Sequence, residues 1–239
     1  MTYEQDVLYM AEMWKHELNK KPSMFERAAK RAQIGIANKI PERFHLVVTE
    51  AMKKMVSAVL TGSDYTTKLK EPLPASFQER EEKVKAAIKR YQKTASLEGA
   101  GTGAGGIFLG MADFPLFLSI KMKCLFQIAL LYGLDLKKYE ERIYLLHIFH
   151  LAFCRDDHKN SVLQNIKEWE ENPEKEIDWR TFQQEYRDYL DLAKLLQLAP
   201  GVGAVVGAVV NYRLVEHLGE TAMNVYRLRL LPSEREEKI

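Results

Sequence analysis

Apolar residues recur along this chain at steps of three and four, the spacing that returns to one side of a helix with about 3.6 residues per turn. Tyr3, Val7, Met10, Trp14 and Leu18 share one face of a first helix. Pro22 and Ser23 open a second, carrying Phe25, Ala29, Ala32 and Ile36, and a third follows Pro41 with Phe44, Val48, Met52, Met55 and Val59 directed at the core. Gly62 closes that helix as a residue free to adopt positive φ. Between positions 61 and 76 the pattern breaks at Gly62, Ser63, Asp64, Pro72 and Pro74. Ser76, with Glu79 three residues on, has capping-box spacing and opens a charged helix expected to run through Tyr91. Asp113, with Pro115 just inside, starts an apolar helix ending near Gly133, and Asp135 caps the next, which runs to about Cys154. A polar helix covers 156–171. After the break at Asn172-Pro173, Asp178 caps a helix carrying Trp179, Phe182, Tyr186, Leu190 and Ala193. No stretch sustains the period-two alternation of a strand. The chain is therefore expected to be all-α, a single multi-helix domain over 1–231 followed by a charged tail at 232–239.

Composition narrows the functional classes. With 35 Lys+Arg against 33 Asp+Glu the net charge is +2, too weak a field to capture nucleic acid by counterion release, and no basic run with interleaved aromatics occurs. Nucleic acid is not an expected partner. Charge is nevertheless uneven: residues 1–70 hold 12 Lys/Arg against 8 Asp/Glu, and residues 155–191 hold 6 against 11. Solvated helix faces account for these counts, and a basic N-terminal third could also lie against an anionic membrane surface. Cys124 and Cys154 sit in apolar stretches, as expected of buried free thiols in a reducing compartment. The acidic start of the chain lacks the basic and apolar regions of an export signal, so a cytoplasmic location is expected.

Nine of the 13 glycines fall in two segments, Gly99–Gly110 and Gly201–Val210. Gly101, Gly103 and Gly106 satisfy G-x-G-x-x-G, but that fingerprint needs a strand before it and a βαβ unit around it, and here a helix precedes it. No Gly-Lys-Ser/Thr follows. No cofactor is implied. Read as helix, Gly99, Gly103, Gly106 and Gly110 lie within a sector of about 60°, and Gly203, Gly207 and Asn211 form a matching line. Six glycines in twelve residues cost about 1 kcal/mol each relative to alanine, so such a helix requires close packing, either of the two glycine-rich helices against each other or against lipid-embedded partners. The 18 uncharged residues 195–212 reach only the lower edge of a membrane span. Gln197, Pro200 and Asn211 interrupt them, and a buried or peripheral role is expected instead.

The run Gly99-Ala-Gly-Thr-Gly-Ala-Gly-Gly106, continuing through Leu109-Gly110 to Asp113-Phe114-Pro115, resembles the signature of the EcsC family. The later Gly203-Ala-Val-Val-Gly207-Ala-Val-Val-Asn211-Tyr212, followed by His217 to Ala222, resembles that family's C-terminal signature. The resemblance covers essentially the whole chain. It implies a helical bacterial protein, cytoplasmic or peripheral at the inner face of the cell membrane, associated with an ABC exporter and with secretion. It assigns no catalytic residue.

Candidate chemistry is sparse. His147 and His150 stand one helical turn apart, with Asp156, Asp157 and His158 after Cys154, and these could hold a metal if the chain turned back. The surrounding segment is apolar, which favours histidines satisfied at the core boundary. Asp113 is expected to be a helix N-cap and is otherwise an acid beside the glycine strip. Two readings follow. One is a non-enzymatic accessory protein whose docking or packing surface includes Gly99, Gly103, Gly106, Gly110, Asp113, Pro115, Gly203, Gly207 and Asn211, with ABC exporter subunits or another membrane protein as partner. The other is a metal- or lipid-dependent enzyme using His147, His150 and Asp113.

Overall fold

A computed structural model describes residues 2–18, 42–62, 69, 71–104, 114–154, 158–171 and 203–231. Within them every regular element is a helix: α1 (Tyr3–Leu18), α2 (Glu42–Thr61), α3 (Phe77–Ala104), α4 (Phe114–Tyr132), α5 (Tyr139–Phe153), α6 (Lys159–Glu171) and α7 (Gly203–Leu230). The expected all-α class is observed. The second predicted helix, the one beginning at Asp178 and the tail lie outside the described residues.

Local chemistry sets several boundaries as anticipated. The Glu79 N–H donates to Ser76 Oγ at 3.2 Å and starts α3. Gly62 and Gly133 end α2 and α4 at φ +71° and +95°, the left-handed region where only glycine is unstrained. Arg142 completes the first of these stops, since its Nε and Nη2 donate to the Leu60 carbonyl at 3.1 and 2.9 Å. Three expectations are corrected. Asp135 does not cap α5: its side chain accepts from the Lys137 N–H inside a turn, and the residue before α5 is Lys138, which makes no side-chain cap bond. Met10 is exposed on α1, and Ala11 takes the buried position beside Val7. The charged helix does not stop near Tyr91 but runs on through Gly99 and Gly101 to Ala104.

The longest elements organise the rest. Helices α3 and α7, each 28 residues and so about 42 Å long, form the most extensively packed pair and run antiparallel. Glu81 meets Arg227 near one end, Ile88 lies against Gly219 in the middle, and Gly99 meets Gly207 toward the other. Helix α4 packs along both, antiparallel to α3, with Tyr132 beside Glu81 and Gln127 beside Arg90. It is apolar and long enough to cross a membrane by composition, yet 13 of its 19 side chains are buried inside the molecule, as in a central core helix. Helices α2 and α5 pack against it and against each other, α6 packs on α5, and α1 lies along α7 and α3. Val48, Met52, Met55 and Val59 are all buried, as the α2 periodicity required.

Candidate functional site

The two glycine segments meet. A Cβ built on Gly99 would strike the Gly207 carbonyl oxygen and come within 2.6 Å of Asn211 Nδ2. The helix backbones therefore touch where neither residue carries a side chain, the geometry that small residues permit. Asn211 Nδ2 donates to Glu98 Oε2 at 2.6 Å and ties the crossing together. Gly101, two positions along, faces open space. Gly103 and Gly203 lie within α3 and α7. Gly106, Gly110 and Asp113 are outside the described residues, and Pro115 is exposed in the first turn of α4.

Behind the crossing lies Lys121, which has no exposed surface. Its ammonium sits 3.9 Å from the centroid of the Phe153 ring and 4.5 Å from that of Phe117, where the negative faces of the rings stabilise a cation. Burial pulls its pKa well below 10.5, and the negative charge of Glu98 opposes that shift. His217, inside the second glycine signature, contacts the Ala152 carbonyl through Nε2 at 2.9 Å and stands edge-on to Phe153. One polar cluster thus runs from Asn211 and Glu98 through Lys121 and Phe153 to His217. The sequence reading missed Lys121, although its place on the line of Phe117, Leu118 and Leu125 would put a charge on the buried side of an apolar helix.

A second cluster holds the opposite end of the α3–α7 pair. Glu81, fully buried, accepts from Arg227 Nε and Nη2 at 2.6 and 2.7 Å, from Tyr3 Oη at 2.7 Å and from Tyr132 Oη at 2.9 Å. Burial opposes ionisation of Glu81, but the bonds from Arg227, Tyr3 and Tyr132 prevail and hold its pKa below 4.5. No motif announces partners 146 residues apart. Only the antiparallel register brings them together.

The histidine candidates are divided between α5 and the start of α6. His147 is buried in α5 with its ring 5.4 Å from Trp169 of α6. His150 is partly buried in the last turn of α5, and its carbonyl accepts from the Cys154 N–H at 2.7 Å. His158 precedes α6, where its carbonyl accepts from Ser161 and Val162. Among the described residues no three His, Cys, Asp or Glu side chains gather as a metal site. Asp156 and Asp157, which that reading also needs, lie outside them. Cys124 and Cys154 are buried free thiols, as expected, and burial pushes the Cys124 thiol up to about 12.

The model of the EcsC protein family matches residues 5–231. Protein EcsC of Bacillus subtilis (strain 168) is 53% identical over 231 residues, covering 97% of this chain and 98% of that protein. The uncharacterized protein YdbA of the same strain is 28% identical across 92% of this chain and 90% of its own length. No solved structure matches.

Proposed function

Because the chain belongs to the EcsC protein family, we propose that it is a non-enzymatic accessory protein of a membrane-linked secretion process, acting at the inner face of the cell membrane by contact with an ABC exporter subunit or another membrane protein. The observation carrying this reading is the surface at the glycine end. Leu97 of α3, Leu116 of α4, and Val205 and Val209 of α7 are each more than half exposed there. Single exposed apolar residues need no explanation, but Val205 and Val209, one turn apart on the side of α7 turned away from the Gly207 contact with α3, form a pair that favours a contact surface. The Gly99–Gly207 contact and the Asn211–Glu98 bond hold α3 and α7 in fixed relation there, so the surface is presented rigidly and little ordering entropy is lost on docking.

The test is membrane fractionation with affinity co-purification, comparing the native protein with the double variant Val205→Asp, Val209→Asp. The expected outcome is that the native protein sediments with membranes or brings down a membrane protein, and that the variant does neither while its melting midpoint is unchanged. A native protein found wholly in the soluble fraction without a membrane partner, or a variant that associates as well as the native chain, would overturn the reading.

A further inference from the structure

Away from the glycine end, Leu69 and residues 71–74 run beside α3 and α4 and bound an open cleft of about 740 Å³, within the size range of small-molecule sites. Its lining is divided. Leu69, Leu73, Ala87 and Leu131 supply an apolar floor, and Lys83 and Arg90 stand at the polar edge. Those two residues are seven apart on α3, hence on the same side with their Cα atoms about 10 Å from each other. Arg90 Nη2 donates to Gln127 Oε1 at 2.7 Å, and the same oxygen accepts from Tyr91 Oη at 3.3 Å. The guanidinium is thus oriented by a neutral amide, which positions its charge without cancelling it. Lys83 pairs with Glu71 at 2.7 Å, but both side chains are substantially exposed, 42% and 74%, and a pair of that kind yields readily to a competing anion.

We infer that this cleft binds a free single-chain anionic amphiphile, its hydrocarbon tail along Leu73, Ala87 and Leu131 and its carboxylate or phosphate head on Arg90, with Lys83 as a second contact. Charge complementarity selects the sign, since the lining carries two cations against the single carboxylate of Glu71. The apolar floor selects against anions that lack a tail. A recess between helices suits a separate molecule better than the face of a bilayer. The site shares no residue with the surface of the proposed membrane contact, so each stands or falls alone.

Calorimetric titration of the full chain with decanoate, kept below its micellar concentration, tests the inference. Saturable binding at one site is expected, with acetate and decyltrimethylammonium about tenfold weaker or more. Arg90→Gln, at an exposed position, should weaken decanoate by about tenfold. Ala86→Trp, which fills the mouth from an exposed position, should abolish binding; melting curves of both variants show whether they fold. Equal affinity for the cationic amphiphile, or native-like decanoate binding by both folded variants, would overturn the inference as nonspecific adsorption. So would phosphatidylglycerol vesicles binding through this cleft, lost in Ala86→Trp, in the absence of decanoate binding.

Discussion

At the scale of single residues, Glu81 shows how a fully buried carboxylate is tolerated: its two oxygens receive four donors, matching their acceptor capacity. Arg227→Met leaves that charge with only the more distant Lys85, 4.0 Å away, and should cost about 3 kcal/mol in urea unfolding. The pH dependence follows from the depressed pKa. Above the unfolded-state value near 4.5 the Glu81 contribution is fully present, and it is lost as pH falls below 4.5 through the folded-state value, because the native state must then take up a proton it resists. Glu81→Gln should flatten this acid limb; a variant whose acid limb matches the native one would contradict the assignment. Lys121 gives a slope of the same sign in the alkaline range, where its burial disfavours the charged form. Its folded pKa lies below 10.5, so the unfolded chain binds the extra proton and stability rises with pH toward 10.5. Lys121→Met should remove that rise, measured by unfolding at a series of pH values from neutral to about 10.

At the scale of elements, the α3–α7 crossing makes two nearby glycines unequal. Gly99→Ala drives a methyl into the Gly207 carbonyl, a backbone atom that cannot rotate away, and should destabilise the protein by about 1–3 kcal/mol. Gly101→Ala enters open space and should be neutral or stabilising by up to about 1 kcal/mol, the helix-propensity difference. Thermal unfolding of the two variants checks the pair, and equal midpoints would contradict the close-packing account. The same crossing explains why α3 outruns its sequence prediction. Judged locally, Gly99, Gly101 and Gly103 end a helix after the charged stretch; in the fold, contact with α7 supplies what local propensity lacks. Asp135 errs in the other direction, since its side chain is satisfied four residues before α5 begins, in a turn that residue type alone does not distinguish from a cap.

At the scale of the whole molecule, periodicity sufficed for the all-α class, the core face of α2, the Ser76 start and the glycine stops at 62 and 133, because each depends on neighbours within one or two helical turns. The composite glycine motifs were enough to identify the family, since they bring together many residues in order. The need of each glycine segment for a close neighbour was legible, since helices so poor in side chains persist only against one; that the neighbour is the other glycine segment was not. Which glycine touches which was not, and neither were the Glu81–Arg227 pair, the ring-bounded Lys121 or the cleft beside Arg90. Those depend on the antiparallel register of α3, α4 and α7, which is fixed when many weak apolar contacts are satisfied together. A sequence encodes the tendency of each segment to coil and to bury one side; which distant charges then find each other is decided only once the helices have packed.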